Sequence, residues 1–151
     1  MSATETASPN KIVLKYNSFV KKGISEDSIV NVVLPYIKSP CEEVQRLGEI
    51  VTKYGVNEGG VIFSDKKCLV HGNRGHQLVA ERVPNDTYAL IPNKLCIGNI
   101  DFNDKQNFMY FPTLKEFIKK HDLNKVHKDV NWNRIFGTNN KVDKQYNYPR
   151  M

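Results

Sequence analysis

Apolar residues recur at helical spacing in two adjacent stretches near the start of the chain. Ile29, Val32, Val33, Tyr36 and Ile37 share one face, the pattern of an amphipathic helix. Ser25-Glu26-Asp27 opens it, with a hydroxyl able to cap and acidic residues that complement the helix dipole. Pro35 has no N–H to give and should bend this helix or tighten its last turn. A second start follows at once. Ser39-Pro40-Cys41-Glu42 reads as a capping box with proline at the first helical position. Val44, Leu47, Ile50, Val51 and Tyr54 then fall on one face, and Gly55 is placed to end the helix.

The next apolar runs are short. Gly59 to Ser64, Cys68 to His71, Gln77 to Val83 and Tyr88 to Ile91 are compact or alternating, as strands are. Asp65-Lys66, Gly72-Asn73-Arg74-Gly75 and Pro84-Asn85-Asp86 separate them with turn chemistry. The spacing predicts an antiparallel meander covered by the two helices. Ile12-Val13-Leu14 reads as a further short strand. Thr113-Leu114-Lys115-Glu116 is a capping box opening a short helix through His121. Residues 131–136 give one more helical turn, closed by Gly137. The pattern is that of a single α+β domain over residues 1–151, without internal repeats or low-complexity segments.

Composition agrees with this picture. The chain has 151 residues, 40% hydrophobic and 25% charged, a balance that sustains a core and argues against disorder. No apolar run reaches membrane-spanning length, and Met1-Ser2-Ala3-Thr4-Glu5-Thr6 has neither the basic start nor the apolar stretch of a secretory signal. Three widely spaced cysteines, Cys41, Cys68 and Cys96, argue against a disulfide framework and fit a reducing, cytoplasmic setting as half-buried thiols. The net charge is +6, and from Lys105 onward ten Lys or Arg face four Asp or Glu. These charges form no block of five and have no nucleic-acid motif beside them, so a solvated face is expected, with neither nucleic acid nor membrane as partner. The competing reading is a non-catalytic binding module that uses this basic third, whose binding would weaken steeply with salt.

Candidate chemistry is thin on residue spacing alone. Cys68, His71 and His76 form a C-x2-H-x4-H cluster, but a closed zinc site draws on four converging ligands and strand alternation would split these three. Half-buried packing is the competing role for each, and no metal or other cofactor is expected. A Cys/His nucleophile pair would need a base beside the thiol, whereas Cys68 lies in apolar company. Removal of Met1 would leave Ser2 with a hydroxyl beside its own α-amine, a nucleophile arrangement, although Met-Ser is a commonplace start. P-loop, dinucleotide, HExxH and GxSxG motifs are missing. Composition and spacing alone therefore reach a soluble α+β domain and no named function.

An ordered series of stretches nevertheless resembles one family. These are Gly23-Ile24-Ser25-Glu26-Asp27-Ser28-Ile29-Val30, Leu34-Pro35-Tyr36-Ile37, Lys53-Tyr54-Gly55, Glu58-Gly59-Gly60 and Gly75-His76-Gln77 through Arg82-Val83-Pro84-Asn85-Asp86. Tyr88-Ala89-Leu90-Ile91-Pro92-Asn93, Ile100-Asp101-Phe102, Asn107-Phe108-Met109-Tyr110 and Leu114-Lys115-Glu116-Phe117 follow. Phe136-Gly137-Thr138 and Tyr146-Asn147-Tyr148-Pro149-Arg150 complete it. The set is similar to the cysteine dipeptidases (dipeptidase A type) of the N-terminal-nucleophile hydrolases and spans essentially the whole chain. The resemblance implies a partial αββα sandwich and hydrolysis of dipeptides. An N-terminal Cys attacks the peptide carbonyl, its own α-amine handles the proton, and amides hold the oxyanion. No cofactor is implied.

Carried over position by position, the resemblance offers Asn93 as an oxyanion or orienting amide after the strand Tyr88 to Ile91, against an ordinary turn residue after Pro92. It offers Arg150 as the late arginine that favours a thiolate, against an exposed basic residue. Thr4 and Glu5 would lie on a strand near the pocket without an assigned role. Three departures qualify the match. The family's opening segment with its Cys is not in this sequence. Its Trp-Tyr-x-Glu reads Cys68-Leu69-Val70-His71 here. The family continues well past the Pro-Arg element. The expectation is thus a domain truncated at both ends, inactive alone, with self-association or a complementing chain covering its exposed edge.

Overall fold

The computed structural model describes residues 9–57, 70–88 and 95–141. Their element order is α1 (Lys11–Leu14), α2 (Glu26–Val33), a 3-10 turn (Leu34–Tyr36), α3 (Pro40–Tyr54), β1 (Val70–Arg74), β2 (Gln77–Glu81), β3 (Phe108–Tyr110), α4 (Leu114–Lys120) and α5 (Trp132–Phe136). The fold is α+β. The three strands form one antiparallel sheet in the order β1-β2-β3.

Helix starts follow their local chemistry. At α2 the Ser28 hydroxyl accepts from the Ser25 backbone N–H at 3.1 Å, closing the first turn on itself. At α3 Ser39 Oγ accepts from the Glu42 N–H at 3.3 Å, while the Glu42 carboxylate reaches one residue further back to the Lys38 N–H at 2.8 Å. Pro35 falls in the 3-10 turn that tightens the end of α2, and Gly55 ends α3 at φ 69°, where a side chain would be strained. Tyr36 departs from its expected place on the apolar face. It is exposed and lies under the Arg46 guanidinium at 4.1 Å, because the 3-10 turn rotates it off the α2 stripe.

Four further expectations are corrected. Residues 12–14 are helical, because the Asn10 side chain caps α1 by accepting from the Ile12 N–H at 2.9 Å and donates to the Ile135 carbonyl at 2.8 Å. The strand of β1 continues through Gly72-Asn73-Arg74, and the hairpin turns at Gly75-His76 instead. Gly75 sits at φ 55°, as a two-residue hairpin demands of a turn residue. The capping box at Thr113 does not form. Thr113 is already helical in its dihedrals, and its hydroxyl pairs with the Gln77 amide at 3.4 Å. Cys41 is exposed rather than half-buried, while Cys96 is half-buried as expected. The expected strand at 59–64 and most of those at 68–71 and 88–91 lie outside the described residues. Residues 70 and 71 of the second fall in β1.

β2 runs between two apolar clusters. Leu78 and Ala80 face one of them, with Ile29 and Val33 of α2, Val44, Leu47 and Val51 of α3, and Met109 and Phe111 beside them. Val79 faces the other, with Leu114 and Ile118 of α4, Trp132, Ile135 and Phe136 of α5, and Leu95, Ile97 and Ile100. The alternation of a half-buried strand has become a strand buried on both sides. Helices cover the first face, as a sandwich requires. On the second face lie α4, α5 and the 95–100 segment, so among the described residues there is one sheet.

Candidate functional site

His76 is the described member of the cysteine–histidine cluster. Cys68 lies outside the described residues, and of His71 only the backbone position in β1 is described. His76 follows Gly75 in the hairpin turn, and its backbone N–H donates to Asn17 Oδ1 at 2.9 Å. Its ring Nδ1 lies 3.1 Å from both the Val51 and Thr52 carbonyls in the last turn of α3. Carbonyls only accept, so Nδ1 carries the proton. The imidazole thus donates into the last turn of the helix, at its negative end, beside the Val51 carbonyl that already accepts from the Gly55 N–H. Its role there is to fasten the hairpin to α3. Among the described residues no three His, Cys, Asp or Glu side chains converge to hold a metal ion.

Cys41 stands in the first turn of α3, exposed, and Cys96 in the 95–100 segment. Asn93, Arg150, Ser2, Thr4 and Glu5 lie outside the described residues. Asn93 falls between Tyr88, which is exposed, and Leu95, which is buried in the larger cluster. Approaching it, the chain leaves β2 with the Arg82 N–H on the Asn107 carbonyl at 2.8 Å and turns with the Thr87 N–H on the Pro84 carbonyl at 3.2 Å.

The basic last third is partly neutralised from within. Arg134 donates to the Asp129 carboxylate at 3.3 Å, the Asp129 carbonyl at 2.7 Å and Asn124 Oδ1 at 3.2 Å. Lys125 pairs with Asp122 at 2.9 Å. The Asp129 carboxyl is held below its ordinary range by its own backbone N–H first and by the Arg134 hydrogen bond next. A cleft of about 790 Å³ opens between α1 and this loop, walled by Tyr16, His121, Lys120 and Arg134. Tyr16 and His121 stack at 4.2 Å. None of the helices among the described residues is long and apolar enough to cross a membrane.

One residue that spacing did not single out is Glu81. It is half-buried on β2, and burial raises its carboxyl above the ordinary value. Its signal in the sequence is a charge at a core-facing alternating position, two residues from the fully buried Val79.

The model of peptidase family C69 matches residues 1–151. A probable dipeptidase of Latilactobacillus sakei is 42% identical over 154 residues, covering all of this chain and 33% of that protein. Probable dipeptidase A of Streptococcus pyogenes serotype M3 (strain SSI-1) is 40% identical, over all of this chain and 34% of its own length. Dipeptidase A of Lactobacillus helveticus is 36% identical, over 99% of this chain and 33% of its own. The chain spans about a third of the length of these curated relatives.

Proposed function

Because the chain belongs to peptidase family C69, we propose that it supplies part of a cysteine-type dipeptidase. The observation that carries this is the family match over residues 1–151 together with relatives named dipeptidases that cover 99–100% of the chain. In this reading the substrate is a dipeptide. A Cys thiol with a free α-amine attacks the scissile carbonyl, and the amine takes and returns the proton. Asn93 donates its amide N–H to the oxyanion as the tetrahedral intermediate forms, and Arg150 favours the thiolate. The α2–α3 layer on the sheet is one half of an αββα sandwich. The working protein is cytoplasmic, and β1 and β3, the outer strands among the described residues, are where a complementing chain or second copy would pair.

The test is a graft. These 151 residues replace the matching stretch of the Latilactobacillus sakei relative, and the chimera is assayed beside the parent and the 151-residue polypeptide. The chimera is expected to hydrolyse dipeptides and the isolated polypeptide to give no turnover. A folded chimera that is inert beside an active parent refutes the reading.

A further inference from the structure

The cleft between α1 and the loop after α4 holds apolar side chains in water on a braced frame. Asp122 starts the loop at φ 56°, a left-handed position where glycine is the usual residue. Asn124 donates to the His127 carbonyl at 3.1 Å and the Asp129 carbonyl at 3.0 Å, and Arg134 donates into the same loop from α5. Val126, on this loop, is 87% exposed, and on the other wall Ile12 and Tyr16 are 55% and 51% exposed. Single exposed apolar residues are ordinary, but three around one cleft mark a surface to be covered. Bracing sets Val126 in place beforehand, which lowers the entropy cost of covering it.

Charge narrows what fits. Residues 11–16 and 114–136, which frame the cleft, carry eight Lys or Arg and three Asp or Glu, so most of the net charge of +6 gathers here. Asp122 and Asp129 are already paired with Lys125 and Arg134, while Lys120 in the cleft wall has no acidic partner among the described residues. The last described residue, Lys141, stands two positions past Asn139 in that wall. The chain spans about a third of its relatives' length, so polypeptide remains to be packed with this cleft in reach.

We propose that the cleft is the docking surface for the remaining two-thirds of the dipeptidase polypeptide, which enters it with an apolar side chain flanked by carboxylates. The assignment rests on the dipeptidase reading and names the face through which this third joins the rest. The apolar side chain packs among Ile12, Tyr16 and Val126, and its burial supplies the affinity. The carboxylates meet Lys120 and Lys125 at the rim and fix the register. Lys125 is free to exchange partners cheaply, because its pair with Asp122 is exposed on both sides.

The experiment measures acetylation of each lysine by mass spectrometry in the 151-residue polypeptide and in its chimera with the Latilactobacillus sakei relative. Lys120 and Lys125 are expected to react ~10-fold more slowly in the chimera, relative to Lys21 and Lys22, which are exposed and outside the cleft. Two double variants, Lys120→Glu with Lys125→Glu and Ile12→Ser with Val126→Ser, probe charge and packing separately. In the isolated polypeptide each should melt within about 2 °C of wild type, since these side chains face water. In the chimera each should lower the melting midpoint by about 3 °C or more. Lys120 and Lys125 that slow no more than Lys21 and Lys22 overturn the docking surface, and charge reversal without effect on the chimera overturns the acidic partner and the proposal with it. Both results leave the dipeptidase reading standing, which falls only with a folded, inert chimera.

Discussion

Gly75→Ala tests whether the hairpin is seated as described. Gly75 lies at φ 55°, and an L side chain in that region costs about 1 kcal/mol. The larger cost is contact. A Cβ on Gly75 would overlap Asn17 Oδ1 and stand 2.6 Å from its Cγ. Asn17 is 5% exposed, and its Oδ1 accepts from the His76 N–H. The carboxamide must move, and losing that bond in a part-buried site costs about 1–2 kcal/mol more. The sum is about 2–3 kcal/mol, read as a lower guanidinium midpoint at unchanged slope. The control is Asn17→Ala. In that background the overlap is gone, so Gly75→Ala should cost only the backbone part, about 1 kcal/mol. The double-mutant cycle should therefore show a coupling of about 1–2 kcal/mol between the two residues. Equal costs in both backgrounds, or a Gly75→Ala within about 0.5 kcal/mol of wild type, would refute the packing argument.

Three other outcomes follow from the structure and the proposed chemistry. Leu47→Ala, at a fully buried position between α2, α3 and the sheet, should cost about 2–5 kcal/mol by denaturation, because the helix layer cannot collapse onto the gap. Asn93→Ala in the active chimera should lower kcat about 10²–10³-fold with little change in KM if its amide serves the oxyanion; an unchanged kcat leaves it a turn residue. Glu81 should make stability fall with rising pH, since its raised folded pKa means the fold binds the proton more tightly than the unfolded chain does. That contribution is full below the unfolded value of 4.5 and is lost as pH rises through the folded one. Glu81→Gln should therefore gain on the wild type across that window in unfolding measured from pH 4 to 7, and a constant difference would contradict the burial.

Where a few neighbouring residues decide an element, the sequence sufficed. Ser39 and Pro40 at the start of α3, Gly55 at its end, and Asn131 and Gly137 around α5 each act within one helical turn. Where distant residues decide, it did not. Ile12-Val13-Leu14 satisfies strand and helix alike, and Asn10 settles the matter through Ile135, 125 residues away. Both Gly72 and Gly75 are able to turn a hairpin, and Asn17, 59 residues from His76, seats the second of them. β3 escaped notice because three apolar residues carry no periodicity. It is set by Asp104, which accepts from the Gln106 and Asn107 N–H groups at 3.1 Å, and by pairing with β2. Asn93 and Arg150 came from resemblance alone, since an amide after a strand and an arginine near the chain's end have no chemistry of their own in spacing.

Glu81 shows how packing perturbs a carboxyl and why that stays hidden in one dimension. Its neighbours in sequence, Ala80 and Arg82, say nothing of burial. The cluster built by α4, α5 and residues 95–100 covers one face of β2, and the α2–α3 layer covers the other. The carboxylate is therefore kept half-desolvated by packing decided elsewhere. That desolvation makes its charged form costly to the fold. A Glu81→Gln whose advantage over the wild type grows as pH rises would show that cost, and a pH-independent difference would refute it.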